Sequence, residues 1–231
     1  MRRTLQPTTA HFRARPDRET RRPPPSKRSV TPALLSLNFK GVIEYLKDLV
    51  TGIDTPQLDE MQITFFNQID FDTPRLAQFI NRTLKLRAHD KAHVLFEDYF
   101  VRVQLPPQSI TLDIAISCEE QDWQLSSIEQ VCNYLPSLST VEDLYIDHLY
   151  LPIVWENYSI DNTLCLRHLL PFTAVKNLYL SKEFAPGIAA ALQELIEDRV
   201  ADVLPNLQNI FVEILKRSGL FQENIGQFVT A

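Results

Sequence analysis

Five short apolar triplets with the spacing apolar-x-x-apolar-x-apolar constrain this chain more than any other feature. They are Leu34/Leu37/Phe39, Leu58/Met61/Ile63, Val141/Leu144/Ile146, Val175/Leu178/Leu180 and Leu207/Ile210/Val212. The last two apolar residues of each flank a single intervening residue, as in a short strand with one buried face. A helical stripe follows most of them. Val42, Ile43, Leu46, Leu49 and Val50 follow the first triplet, and Leu76, Phe79 and Ile80 follow the second. Ile188, Leu192, Leu195, Ile196 and Val203 follow the fourth, after Pro186 and Gly187. A one-strand, one-helix unit cannot bury its apolar face alone, so it has to stack on its own copies.

The triplets begin at positions 34, 58, 141, 175 and 207, with a weaker copy near 110. Repeats of this size predict an α/β fold of the irregular leucine-rich-repeat-like solenoid type. Its strands would line one curved parallel sheet, with helices on the outer side. A compact α/β sheet is the alternative.

Boundary signals refine the units. Gly52 stops the first helix. Asp72 or Thr73 caps the second, with Pro74 in its first turn and an end near Asn81 or Arg82. Residues 83–117 are the least regular. Val94–Phe96 and Val101–Leu105 read as strands that a hairpin through Glu97–Phe100 can join, and Leu112, Ile114 and Ile116 mark another strand. Cys118–Trp123 reads as a loop. A helix capped by Ser126 or Ser127 follows, with Ile128, Val131, Cys132 and Leu135 inward and Pro136 breaking it. Short helices are expected over Asp161–Leu170 and around Ile225 and Phe228.

Charge divides the chain in two. Residues 1–30 hold nine Lys or Arg against Asp17 and Glu19, a net of +7. The remaining residues carry 14 basic and 27 acidic side chains, a net of −13. Residues 1–30 also hold five prolines and few large apolar residues. Such a segment cannot offset its ordering entropy, so a disordered basic tail is expected, followed by one repeat domain over 31–231. A nucleic-acid arm and an organelle presequence are the functional alternatives for the tail. The acidic body is a poor general binder of nucleic acid.

No apolar run approaches the length of a membrane span, and no secretory core segment opens the chain. Cys118, Cys132 and Cys165 are odd in number and far apart, which favours reduced core cysteines in a cytoplasmic or nuclear protein.

Enzyme signatures are sparse. His89 and His93 lie four apart, but their surroundings read as a loop entering a strand, so a metal site is not expected. Glu119, Glu120 and Asp122 lack calcium-loop spacing and read as a solvated loop. There is no G-x-S-x-G, phosphate loop or G-x-G-x-x-G, and only five glycines occur in all. No cofactor, small-molecule substrate or catalytic residue is expected.

Residues between the apolar strand positions point away from the core. The equivalent central positions are Asn38, Gln62, Asp113, Tyr145, Tyr179 and Phe211, with the acidic residues Asp143, Asp147 and Glu213 beside the last three. The C-terminal half would carry an aromatic ladder. Exposed aromatics of this kind anchor protein partners, or they stabilise the sheet by cross-strand stacking. Asn38, Gln62, Asp113, Tyr145, Asp147, Tyr179, Phe211 and Glu213 are therefore the candidate partner-binding residues.

Several stretches resemble a known family. Gly41-Val-Ile-Glu-Tyr-Leu-Lys-Asp-Leu49, Phe71-Asp-Thr-Pro-Arg-Leu-Ala-Gln-Phe-Ile80, Asp122-Trp-Gln-Leu-Ser-Ser127, Pro171-Phe-Thr-Ala-Val-Lys176 and Ile225-Gly-Gln-Phe-Val229 look like the C-terminal leucine-rich-repeat-like region of F-box proteins from mushroom-forming fungi. The resemblance covers about residues 31–231. It implies the client-recognition region of a ubiquitin-ligase substrate receptor, in which an F-box near the N-terminus docks a Skp-type adaptor. In this sequence the basic tail stands where the F-box would be. Adaptor binding is expected only where an F-box lies upstream, and a truncated gene product, a gene-model artefact or a stand-alone module would each give this arrangement.

Overall fold

The computed structural model describes residues 8–13, 28–68, 70–106, 111–148, 167, 169–182, 184–194 and 203–213. Eleven strands lie within them. These are β1 (Thr8–Arg13), β2 (Ser29–Val30), β3 (Leu34–Gly41), β4 (Ile53–Asp54), β5 (Glu60–Phe65) and β6 (Lys91–Glu97), then β7 (Phe100–Leu105), β8 (Leu112–Ser117), β9 (Asp143–His148), β10 (Asn177–Ser181) and β11 (Asn209–Glu213). The helices are α1 (Ile43–Gly52), α2 (Pro74–Arg82), α3 (Gln121–Cys132) and α4 (Ala185–Glu194). Nine strands form one open sheet in the order β1-β3-β5-β8-β7-β6-β9-β10-β11. Pairing is parallel except along β7, which runs against both β6 and β8.

The recurring triplets have a common backbone origin. Three residues before the first apolar residue of each triplet, a carbonyl accepts that residue's N–H. The pairs are Leu34 to Thr31 (3.2 Å), Leu58 to Thr55 (3.1 Å), Val141 to Leu138 (3.2 Å), Val175 to Phe172 (3.3 Å) and Leu207 to Leu204 (3.1 Å). Pro32, Pro56 and Pro205 follow the accepting residue in three of the five, where the fixed φ suits a turn. Each turn delivers the chain into a strand; the next apolar pair is buried in the first four, and in the last Ile210 and Val212 are half-buried at the sheet edge. On the C-terminal side even the strand entry repeats. The Asp90 carbonyl accepts from Glu142 and Asp143, that of Glu142 from Lys176 and Asn177, and that of Lys176 from Gln208 and Asn209.

Burial explains the helices. Ile43, Leu46 and Val50 of α1, Leu76, Phe79 and Ile80 of α2, Leu125, Ile128, Val131 and Cys132 of α3, and Ile188 of α4 join one core with the inward strand residues. Each fully buried apolar side chain stabilises the fold by roughly 1.5–3 kcal/mol. All four helices therefore cover the same face of the sheet.

The centre departs from a simple succession of units. After β5 the chain passes through α2 to β6, three positions away in the sheet. It then turns back through β7 and β8, so that β8 pairs with β5. From β8 it passes through α3 to β9, beside β6. What is observed is a large, mostly parallel sheet with helices on one face, and its strand order is interrupted by an antiparallel meander.

Three local expectations change. Two parts of the segment read as a disordered tail are strands: β1 pairs parallel with β3, and β2 pairs with β4. Backbone pairing to β3 supplies what the composition of β1 lacks. The loop expected over Cys118–Trp123 is shorter, because α3 begins at Gln121 with Glu120 at its N-cap. Ser127 is buried inside this helix and is not its cap. Gln124 anchors the early start by donating from Nε2 to the Glu97 and Cys118 carbonyls, both at 2.8 Å. At α2, Thr73 occupies the N-cap position but makes no side-chain capping bond. The helices expected at Asp161–Leu170 and near Ile225 and Phe228, and the side chains of Trp155 and Cys165, lie outside the described residues, apart from Arg167, Leu169 and Leu170.

Candidate interaction face

Strict alternation places every second strand residue on the face opposite the helices. Register then aligns nine of them in one continuous cross-strand row. From edge to edge it reads His11, Asn38, Gln62, Asp113, Gln104, His93, Tyr145, Tyr179, Phe211. The six central positions expected from sequence all belong to it. They are not contiguous: β7 and β6 insert Gln104 and His93 between Asp113 and Tyr145.

The C-terminal half is aromatic. Tyr145 and Tyr179 stack with centroids 4.3 Å apart and planes 7° from parallel. Tyr179 and Phe211 stack at 4.6 Å and 13°. His93 approaches Tyr145 edge-on, at 5.9 Å and 63°. Because the rings cover one another's faces, the stack turns ring edges away from the sheet.

The acidic residues beside the stack are paired. Asp147 Oδ2 lies 2.5 Å from His93 Nε2. Asp143 meets Lys91 Nζ at 3.5 Å and accepts from Asn177 Nδ2 at 2.8 Å. Asn209 Nδ2 in turn donates to Asn177 Oδ1 at 2.8 Å, which continues an amide ladder one row below the rings. Glu213 ends β11, its backbone in register with Ser181, and its side chain lies outside the described residues. The expected acidic flank is thus engaged within the sheet at Asp143 and Asp147.

The N-terminal half is polar. Asn38 Nδ2 donates to Gln62 Oε1 at 2.9 Å, and Gln62 Nε2 donates to Glu60 Oε1 at 2.6 Å. Ser36 Oγ donates to the second oxygen of Glu60 at 3.3 Å. Asp113 accepts from Arg102 Nη1 at 3.3 Å, and Arg102 also faces Glu97 at 3.8 Å. Asp113 is only 9% exposed, and its Oδ1 is buried without a hydrogen-bond donor. Burial raises its pKa; Arg102 and the amide of Gln104 draw it back.

Apolar spacing in the triplets points to neither Arg102 nor Gln104, nor to His93 as a member of this row. The signal was present, since Ala92, Val94 and Phe96 alternate inward and so put His93 outward. What sequence lacked was the register that inserts two antiparallel neighbours into the row.

Other candidate chemistry disperses. His89 lies in the turn before β6, where its N–H donates to Thr140 Oγ1 and its carbonyl accepts from the same hydroxyl. His93 sits on the strand, bound to Asp147. Among the described residues no group of three or more His, Cys, Asp or Glu could hold a metal ion. Glu120 and Asp122 occupy the N-cap and first turn of α3, where the helix dipole favours acids. With Asn67, Ser117, Cys118, Glu119 and Trp123, Glu120 lines a shallow depression of about 240 Å³. Cys118 and Cys132 are buried free thiols, and burial raises the pKa of both. Among the described residues no helix is long and apolar enough to cross a membrane.

No protein-family model matches the chain, and neither a curated protein nor a solved structure is significantly similar to it.

Proposed function

We propose that this chain is a non-catalytic protein-interaction module, the client-recognition region of an F-box-type ubiquitin-ligase substrate receptor. The carrying observation is the cross-strand row from Asn38 to Phe211. It places polar amides at one end and a three-ring stack at the other on the face that the helices leave uncovered. Ring edges and hydroxyls in a line offer directional contacts along an extended partner at low conformational cost. In this reading the two parallel arms are leucine-rich-repeat-like stacks, supported by the five equivalent entry turns, and the β6–β8 meander is an insertion between them. A Skp-type adaptor would be recruited by an F-box upstream.

The nucleic-acid alternative draws on the +7 charge of residues 1–30. Six of those residues are committed to β1, and the rest of the chain is acidic, so the interaction reading is preferred.

The test is site-specific photo-crosslinking in cells with a benzoylphenylalanine at Tyr179, and at the exposed turn residue Tyr99 as control. The expected result is a client crosslinked only from Tyr179, whose ubiquitylation falls when the chain is depleted. The same products at equal yield from both positions would sink the reading.

A further inference from the structure

The outer strand of the sheet is held unequally. In β1, Ala10 and Phe12 are in register with Leu37 and Phe39, the buried residues of β3. Leu37 and Phe39 are 0% and 2% exposed, whereas Phe12 remains 42% exposed. Ala10 packs on the core and is only partly buried. Thr9 and His11 face solvent. Among the described side chains of β1, a single small methyl group and a Phe12 ring left 42% exposed thus supplement the backbone ladder.

We propose that the outer edge of β3 is a strand-addition site for an extended segment of a partner protein, and that β1 is the chain's own occupant of it. A sheet edge presents a row of backbone donors and acceptors that any extended chain can pair with, and side chains at alternate positions set the preference. The partner has apolar residues larger than alanine in register with Leu37, and an aromatic or branched residue in register with Phe39. Basic flanks suit it, because the body of the protein carries −13 and the resident strand comes from a +7 segment. Only fifteen residues separate Arg13 from Ser29, so β1 competes from a local concentration on the order of millimolar. The incoming segment wins by carrying a larger apolar side chain than Ala10 and a better buried one than Phe12, which leaves 42% of its own surface in solvent. β2 and β4, together with the Thr31 N–H to Asp54 carbonyl bond of 2.8 Å, hold the start of β3 in place whichever strand lies beside it.

The test uses the full chain and a fluorescein-labelled peptide of residues 6–15, wild type or carrying Ala10→Leu. In the protein, Ala10→Pro with His11→Pro removes the β1 donor toward β3 whichever of the two faces it. Fluorescence anisotropy should show the double-proline protein binding the peptide at least about tenfold more tightly than the wild-type protein, with the Ala10→Leu peptide tighter still. Amide exchange of residues 36–40 should slow on binding. The milder Phe12→Glu protein should fall between the two and serves if the proline variant unfolds. Equal binding by all three proteins, or none by the released ones, overturns the proposal. So does self-association of the released protein without peptide binding, which would make the edge a contact between copies.

Discussion

Tyr179 lies between two rings, 4.3 Å from Tyr145 and 4.6 Å from Phe211, nearly parallel to both. Stacked pairs are worth roughly 0.5–1.5 kcal/mol beyond area burial. A double-mutant cycle on Tyr145→Leu and Tyr179→Leu, measured by urea unfolding, should give a favourable coupling in that range. A coupling near zero would mean that the rings only share a surface. The Tyr145–Tyr179 stack would then add nothing to stability beyond the area each ring buries.

Asp113 tests which of two opposing effects wins. Burial raises its pKa above 3.8 and Arg102 lowers it, with burial the larger. The folded protein therefore holds this proton more tightly than the unfolded chain. Stability attributable to Asp113 is greatest below pH about 4 and is lost as pH rises through the folded pKa. Asp113→Asn should thus be nearly neutral at acid pH and stabilising at neutral pH, by on the order of 1 kcal/mol or about 2–4 °C in Tm. A variant less stable than wild type at neutral pH would show that the Arg102 pair dominates.

Arg82 ties α2 to the end of α1. Its Nη2 donates to the Val50 and Ile53 carbonyls at 2.5 and 2.7 Å, and its guanidinium lies 4.9 Å from the centroid of the Phe79 ring. Those carbonyls lie at the C-terminus of α1, where a cation is favoured. Arg82→Met should cost about 1.5–3 kcal/mol by losing charge-assisted bonds while keeping the stem's packing. Arg82→Lys should recover less than half, because the shorter lysine side chain does not carry its ammonium to the point where Nη2 meets both carbonyls. Thermal unfolding of the two variants checks the order.

The thiols make a simpler case. Cys132 is fully buried and Cys118 donates to the Glu120 carbonyl at 3.3 Å. Burial raises both thiol pKa values, so little thiolate forms near neutrality. In a Cys165→Ala background at about pH 8, both should react with a disulfide reagent at least about tenfold more slowly than in urea. Rapid native labelling of either would place it in a region that opens locally.

Sequence revealed what local patterning controls. The five triplets, the spans of α1 and α2 and the central strand positions Asn38, Gln62, Asp113, Tyr145, Tyr179 and Phe211 all follow from apolar spacing and turn chemistry within one unit. It did not reveal what depends on distant pairing. β1 has two inward apolar residues in a proline- and arginine-rich context, and its ladder with β3 is formed by residues 26 positions apart at Thr8 and Leu34. The serines at 126 and 127 are good caps in isolation, but Gln124 gains two tertiary bonds by starting α3 earlier. The reversal of β7 and the arrival of β8 beside β5 set which residues separate Asp113 from Tyr145, and no single unit encodes that.

The lone reversed strand also affects how the molecule comes apart. In an uninterrupted stack each unit touches only its neighbours, and melting can travel inward from a terminus one unit at a time. Here the connections through α2 and α3 each pass three sheet positions, and their paths overlap above the β6–β8 meander. The N-terminal arm cannot detach from β8 without breaking into the segment that leads to β9. The chain is in effect stitched through its own middle. Its two arms should therefore melt together, with the antiparallel hairpins, the most local pairings present, forming first on refolding.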